Sequence, residues 1–280
     1  MHERIFNVML CKTVYLREAE GDMSVHLETY ISRTEGDMNC APRDAMLVLP
    51  GGAYAFLAER ESEPCAKAFL AAGFNVFTLY YSLNEKAAFP RPLVDVSMAI
   101  AHIRAHAEEC NIDPDRIFVC GFSAGGHLCG SIGTFWNRDF AAFPGMKKGD
   151  NRPRGVILSY PAASLMPGLR HDLCTELILG KKDYTDEECA AYSLEKQVTE
   201  DTVPHFIWQT EEDNCVCVEN SLVLAEALIA KRIPTELHIY PKGPHGMSVA
   251  TKEVYCNTPE NIDPHVGSWV KAAVEWTQLI

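Results

Sequence analysis

The six residues from 121 to 126 have the types and the spacing of a catalytic turn. They read Gly-Phe-Ser-Ala-Gly-Gly, so that Ser123 has a glycine two positions away on either side. A serine lifted out of a sheet on a sharp turn lies in strained backbone geometry, and larger side chains at those two positions would collide where strand and helix meet. The spacing predicts an exposed hydroxyl placed for nucleophilic attack. The alternative is a serine in a tight turn of a non-catalytic α/β domain.

A serine hydroxyl needs a base, and His245 is the best placed of the ten histidines. It follows the last predicted strand within the segment PKGPHGM, where a glycine-rich loop can aim the imidazole at the sheet edge. His238 falls inside a strand, whereas His102 and His106 lie one turn apart on a helix. His127 is one turn into a helix and faces away from the place that a base must occupy. We therefore predict His245 as the base.

The base needs an orienting acid, and three adjacent carboxylates, Glu211, Glu212 and Asp213, follow the strand before it. Such a run is usually only a solvated loop or the charge at a helix N-terminus. Position favours a catalytic role for one of them, because in this architecture the order along the chain is serine, acid, histidine. Asp213 is preferred, since turn hydrogen bonds fix its shorter side chain more readily. Glu212 remains the alternative.

The negative oxygen that develops during acyl transfer needs backbone donors. The segment LPGGAY, residues 49–54, follows an apolar strand with consecutive small residues whose amides can point into a cleft. We predict Gly52, Ala53 and Ala124 as the donors. A plain turn or a weak phosphate loop are the alternatives, but the full dinucleotide fingerprint and the Lys-Ser/Thr pair of a phosphate loop are both missing from the sequence.

The elements that must position these residues are predicted from apolar periodicity. Residues 8–32 alternate apolar and polar side chains and predict an antiparallel hairpin at the sheet edge. After it, strands and helices alternate, which predicts one α/β domain over 1–280 with a doubly wound, mostly parallel sheet. The polar run 111–115 is interpreted as a break before the strand that leads to Ser123. The predicted strands are 45–49, 75–81, 117–120, 154–161, 205–209 and 235–240, and the predicted helices are 62–72, 92–106, 218–230 and 266–279.

One connection, from Ala162 to Pro204, has roughly forty residues where a handful is usual. We expect residues 162–204 to fold over the site as a small cap. The stretch 181–188 is charged, and the apolar residues are too few both to anchor a cap and to line a long acyl tunnel. A lipase would need a larger apolar face to meet a lipid surface.

Composition limits the partners. A formal charge of −13 argues against nucleic acid and anionic membrane surfaces, because both would repel the protein. The N-terminus lacks the pattern of a secretory signal, and no apolar run approaches membrane-spanning length. The cysteines lie mostly in apolar runs and include no CxxC pair, which predicts reduced structural thiols. We therefore expect a soluble, cytoplasmic protein with a small-molecule substrate, and a homo-oligomer is permitted.

On these residues the chain resembles the esterase/lipase group of the α/β-hydrolase superfamily, in particular acetyl xylan esterase-like (BD-FAE-like) and feruloyl esterase-like proteins. The resemblance extends from about residue 45 to the C-terminus. The motifs that support it are PGGAY (50–54), GFSAGGHL (121–128), TEEDNCVCVENS (210–221) and GPHG (243–246). It implies an α/β-hydrolase fold with Ser123 as nucleophile, Asp213 as acid and His245 as base.

The sequence departs from the family pattern at two positions. Ala53 stands where a third glycine is common, which puts the conformation of that loop in question, although Ala53 can still donate its amide. Cys217 stands where a proline often follows the acid.

The resemblance implies a serine carboxylester hydrolase that acts through an acyl-enzyme on short acyl groups, with acetylated plant-type oligosaccharides as one candidate substrate. It implies no metal and no organic cofactor. An arylformamidase or a small peptidase of the prolyl oligopeptidase type would use the same machinery, but no propeller-sized domain precedes the core. A catalytically silent binding module is the alternative of another class, although such proteins usually lose a member of the triad.

Overall fold

The structure, a computed structural model, describes residues 10–32, 41–254 and 258–280. Within these ranges eight strands form one sheet in the order β1-β2-β4-β3-β5-β6-β7-β8. The strands are β1 (Leu10–Arg17), β2 (Asp22–Ile31), β3 (Arg43–Leu49), β4 (Asn75–Tyr80), β5 (Ile112–Phe122), β6 (Gly155–Ser159), β7 (His205–Thr210) and β8 (Thr235–Tyr240).

Strand pairing confirms the predicted sheet. β1 pairs antiparallel with β2, and β2 pairs antiparallel with β4. All other neighbours, from β4 through β3 and β5 to β8, are parallel. The carboxyl ends of the strands from β3 to β8 therefore share one edge. Residues 8 and 9 of the predicted hairpin lie outside the described residues.

Helices connect the parallel strands. The α-helices are α1 (Glu63–Ala71), α2 (Arg91–Ala105), α3 (Ala124–Phe135), α4 (Asp172–Leu179), α5 (Asp186–Tyr192), α6 (Leu194–Gln197), α7 (Glu219–Ala230), α8 (Pro264–Gly267) and α9 (Trp269–Thr277). Short 3-10 turns lie at Glu18–Glu20, Glu59–Glu61, Asn84–Lys86, Asp139–Ala141, Lys252–Val254 and Pro259–Asn261.

The centre of the sheet is covered on both faces, which explains why β3 has an unbroken buried apolar run from Ala45 to Leu49. In β3, Leu47 and Leu49 point into one core together with Leu128 of α3 and Leu224 of α7. The intervening residues of β3 point into a second core on the other face. That second core includes Met46, Val48, Phe69, Trp269 and Ala273, so it packs the sheet against α1 and α9.

Two predicted boundaries were wrong. β5 begins at Ile112, because Ile112 pairs with Arg43 and the polar residues after it form an irregularity inside the strand, whereas the sequence predicts a break before the strand. The predicted helix 266–279 is two helices, α8 and α9. Ser268 lies at the break and donates its hydroxyl to the carbonyl of His265, a local bond that competes with helix continuation.

The insertion between β6 and β7, residues 162–204, folds into α4, α5 and α6. Its buried apolar residues Leu165, Ile178 and Leu194 belong to the same core as α3. Leu194 lies directly against Gly130 of α3, so the insertion packs beside that helix. Its function as a cap over the site stays a prediction.

The cysteines described within residues 10–32, 41–254 and 258–280 are free, and Cys65, Cys120, Cys129 and Cys174 are buried, whereas Cys215 is exposed. No helix in those ranges combines the length and the hydropathy that crossing a membrane requires.

Two histidines are fully buried in the core. His127 lies in α3 and His205 opens β7, and both are 0% exposed. Burial lowers the pKa of each imidazole to about 4, from an ordinary value near 6.5. The ring of His205 accepts no bond at Nε2 from any described residue, and its Nδ1 lies 2.8 Å from the carbonyl oxygen of Val203.

These histidines predict acid sensitivity of the fold. Between about pH 6.5 and pH 4 the unfolded chain binds protons that the folded chain does not, so the free energy of unfolding falls as pH falls through this window. Each histidine contributes about 1.4 kcal/mol per pH unit to that slope. Urea unfolding of His205→Gln between pH 4.5 and 6.5 should therefore give a slope shallower by about that amount. An unchanged slope would contradict the prediction.

Candidate active site

Ser123 occupies a sharp turn between β5 and α3. Its φ is 53°, a left-handed conformation that is costly for a residue with a side chain. Its amide donates to the carbonyl of Ser159 at 3.0 Å, which joins the turn to the end of β6. A Cβ at Gly121 would lie 2.1 Å from the carbonyl oxygen of Gly125, and one at Gly125 would lie 2.2 Å from that of Leu49. Both positions need glycine for the steric reason predicted.

The structure brings Ser123, His245 and Asp213 together. His245 Nε2 lies 2.9 Å from Ser123 Oγ, and His245 Nδ1 lies 2.7 Å from Asp213 Oδ2. A carboxylate only accepts, so Nδ1 carries the ring proton and Nε2 is free to accept from the serine hydroxyl. The His245 side chain is 16% exposed and that of Asp213 is 0% exposed. The three side chains form one chain of hydrogen bonds that opens to solvent at its serine end.

Turn hydrogen bonds fix Asp213. Its Oδ1 accepts from the amides of Cys215 and Val216, both at 2.9 Å. Glu212 is exposed, and its nearest described bond is a 3.4 Å contact with the amide of Gly243. Of the two carboxylates considered from the sequence, Asp213 is the one that contacts the histidine.

The segment after β3 presents unpaired amides beside the serine. Gly52 and Ala53 have φ values of 128° and 56°, so Ala53 adopts the left-handed conformation that a third glycine would adopt more easily. Their amides donate to no described residue, and the amide of Ala124 lies in the first turn of α3, where amides have no acceptor within the helix. The amide of Gly51 instead donates to Glu61 Oε2 at 2.7 Å. Gly52, Ala53 and Ala124 thus keep free donors near Ser123.

Other histidines have different partners. His127 Nδ1 lies 2.8 Å from the hydroxyl of Tyr54, and its Nε2 lies 2.9 Å from the carbonyl oxygen of Tyr192 in the insertion. His238 pairs with Glu236 on β8. None of these rings contacts Ser123 Oγ among the described contacts.

Sequence reasoning missed two buried residues beside the site, Tyr160 and Glu61. Tyr160 follows β6, and its ring lies edge-on to that of His245 with centroids 4.9 Å apart. Its hydroxyl donates to Glu61 Oε1 at 2.8 Å. Burial, with Glu61 beside it, raises the pKa of Tyr160 well above its ordinary value, so the phenol keeps its proton. The position of Tyr160 at the carboxyl end of a central strand was a signal that could have identified it.

A surface depression of about 1070 Å³ lies away from this chemistry. It is lined by residues such as Arg104, Trp136, Arg154 and Pro204, and its lining includes no member of the Ser123–His245–Asp213 chain. No group of three or more potential metal-ligating side chains occurs in the part of the chain that the structure describes.

The names of similar proteins refer to xylan, and one of them also refers to ester hydrolysis. The chain is 42% identical over 216 residues to endo-1,4-beta-xylanase B of Butyrivibrio fibrisolvens, which is 76% of this chain and 34% of that protein. It is 29% identical over 232 residues to an acetylxylan esterase of Xylanibacter ruminicola, which is 81% of this chain and 45% of that protein. The chain therefore spans only about a third to a half of the length of these relatives.

Solved structures extend the likeness over the whole chain. An acetyl ester-xyloside bifunctional hydrolase from Caldicellulosiruptor lactoaceticus is 31% identical with a TM-score of 0.80, and the match covers 98% of this chain and 97% of that one. Residues 37–228 match the BD-FAE family. The chain belongs to the BD-FAE family and has the α/β-hydrolase fold.

Proposed function

We propose that this protein is a serine carboxylester hydrolase that acts through an acyl-enzyme on short acyl esters. The observation that supports the proposal most directly is the hydrogen-bond chain Ser123–His245–Asp213, placed beside the free amides of Gly52 and Ala53. A nucleophile, a base with an oriented tautomer and preorganised donors are the parts that acyl transfer requires. The names of the relatives, among them an acetylxylan esterase, agree with this reaction class.

Attack begins when the ester carbonyl lies against Ser123 Oγ. His245 Nε2 is already within hydrogen-bond distance of that oxygen and takes its proton as the new bond forms. Buried Asp213 accepts a hydrogen bond from Nδ1–H, which keeps the ring in the productive tautomer and stabilises the imidazolium, while the proton stays on Nδ1. The negative charge on the former carbonyl oxygen develops next to the amides of Gly52, Ala53 and Ala124.

Collapse of the tetrahedral intermediate breaks the ester bond. His245 returns its proton to the leaving alkoxide, which departs as an alcohol and leaves the acyl group on Ser123. A water molecule then repeats the sequence, with His245 as its base, and releases the carboxylic acid. The same backbone donors stabilise both tetrahedral intermediates.

Short acyl groups and acetylated oligosaccharides fit the architecture of the insertion. Its apolar residues Leu165, Ile178 and Leu194 are buried in the main core, so they are not free to line a tunnel for a long acyl chain. The names of relatives that include an acetylxylan esterase and an acetyl ester-xyloside hydrolase support acetylated sugars as the substrate class.

The nucleophile is tested by Ser123→Ala. We expect a loss of turnover of p-nitrophenyl acetate on the order of 10⁴-fold or more, with the fold unchanged. Ser131→Ala, in the helix that follows Ser123, is the matched control, because Ser131 is buried and its hydroxyl has no described partner. A serine-reactive fluorophosphonate should label Ser123 in the unmodified protein. Retention of most activity by Ser123→Ala would refute the serine mechanism, and absence of activity in the unmodified protein would favour a silent binding module.

The acid is tested by comparing Asp213→Asn with Glu212→Gln. Only Asp213 contacts the imidazole, so Asp213→Asn should lower kcat on the order of 10⁴-fold, because an amide cannot keep the ring in its working tautomer. Glu212→Gln removes the same charge from an exposed neighbour and should leave kcat close to that of the unmodified protein. A larger loss of kcat in Glu212→Gln would identify Glu212, and not Asp213, as the acid.

Acyl-chain selectivity tests the substrate class. We expect p-nitrophenyl acetate and propionate to be hydrolysed much faster than the octanoate or longer esters, because the buried apolar side chains Leu165, Ile178 and Leu194 of the insertion are used in packing. Steady-state kcat/KM across the series measures this. A rate that rises with chain length, or activation at a lipid interface, points to a lipase instead.

A further inference from the structure

Glu61 is a buried carboxylate next to the nucleophile. It closes the 3-10 turn Glu59–Glu61, is 1% exposed, and has no Lys or Arg ion-pair partner among the described residues. Burying a carboxylate without a cation is costly unless its oxygens are hydrogen-bonded. Each of its oxygens has one described donor: the amide of Gly51 at 2.7 Å and the hydroxyl of Tyr160 at 2.8 Å. These two donors belong to opposite sides of the active site.

The first bond fixes the segment that presents the oxyanion donors. Gly51 directly precedes Gly52 and Ala53, so the orientation of its peptide determines where their amides point. A Cβ placed on Gly51 would lie 2.8 Å from Ser123 Cβ and also 2.8 Å from Glu61 Oε2. The Glu61 carboxylate, Gly51 of the loop after β3 and the Ser123 side chain are therefore packed directly against one another. The amide of Gly51 donates to Glu61, so the next two amides, those of Gly52 and Ala53, are the ones that can donate to the substrate.

The second bond fixes the loop that contains the base. The hydroxyl of Tyr160 donates a hydrogen bond to Glu61 and accepts one from the amide of Ser248 at 3.0 Å. Ser248 lies three residues after His245. Ser248 Oγ donates to the carbonyl of Arg60 at 2.6 Å, and Arg60 Nε donates to the carbonyl of Gly246 at 2.8 Å. The turn that contains Glu61 is thus bonded to Gly246 and Ser248, which follow directly after His245 in the same loop.

We propose that Glu61 is a positioning residue. It holds the oxyanion donors, and through Tyr160 the base His245, in the orientation that they need relative to Ser123. This inference rests on the proposed esterase function and names a residue through which the two halves of that machinery are aligned. Its contribution lies in the transition state, because the geometry that it fixes concerns the oxyanion and the proton transfer and not the ground-state ester.

The test is Glu61→Gln, which is nearly isosteric but has only one acceptor oxygen, so that the amide of Gly51 and the hydroxyl of Tyr160 can no longer each donate to an oxygen of their own. We expect kcat for p-nitrophenyl acetate, per serine labelled by a fluorophosphonate, to fall by about 10- to 100-fold while KM changes by less than about threefold. The rate constant of fluorophosphonate labelling should fall in parallel, since the phosphonyl oxygen uses the same donors. Glu59→Gln is the matched control, because Glu59 belongs to the same turn, is exposed and undergoes the same charge change.

Tyr160→Phe is the second variant, because it keeps the ring beside His245 and removes only the hydroxyl that joins Glu61 to Ser248. It should lower kcat per labelled serine by about tenfold, and the double variant should lose less than the product of the two single effects. This variant decides the question if Glu61→Gln does not fold.

Three results would overturn the inference: a normal kcat per labelled serine, a loss confined to KM, or an equal loss in Glu59→Gln. A fall only in the labelled fraction and the melting temperature would assign Glu61 a purely structural role and would overturn it as well. These outcomes leave the esterase proposal intact, whereas failure of the unmodified protein to hydrolyse esters and to be labelled at Ser123 would remove both.

Discussion

The arrangement of the candidate active site depends on the close approach of three segments at Gly125: the turn at Ser123, the first turn of α3 and the loop after β3. There the first turn of α3 lies against the carbonyls of Leu49 and Pro50 at the end of β3, with no room for a side chain. This contact brings the helix N-terminus, the turn at Ser123 and the loop after β3 within reach of one another. The left-handed conformation of Ser123 is the cost of that approach, on the order of 1–2 kcal/mol. Packing of β5 and α3 in the two-sided core compensates for it.

The loop after β3 is bonded on two sides by buried groups of different chemistry. On one side Glu61 accepts the amide of Gly51. On the other, His127 donates from Nε2 to the carbonyl of Tyr192 and accepts at Nδ1 from the hydroxyl of Tyr54, an assignment that follows because a carbonyl can only accept. Its pKa of about 4 keeps this imidazole neutral at neutral pH, so both bonds persist. The insertion is thereby joined to the loop after β3 that contains Gly52 and Ala53.

Local patterns predicted most of the fold and the residues that meet at the site. The turn at Ser123 could be predicted because steric rules fix the spacing of its glycines, and Asp213 because topology fixes the order of the parts. The hydrogen bond between Glu61 and Tyr160 could not be predicted, since the two residues are 99 positions apart and no local pattern links them. The irregularity in β5 and the break at Ser268 depend on strand pairing and on one hydroxyl, which periodicity does not record.

The separation of Ser123 from His245 has a consequence for synthesis of the chain. Their hydrogen bond joins residues 122 positions apart, and β6, β7 and β8 add to the sheet in chain order beyond β5. At about 5–20 residues per second, a ribosome needs on the order of ten seconds to make that stretch. During this interval the strand and helix around the serine are available, but the base is absent. Under the proposed serine mechanism, a nascent chain therefore has no base for acyl transfer at Ser123 until the segment beyond β8 that contains His245 has been made.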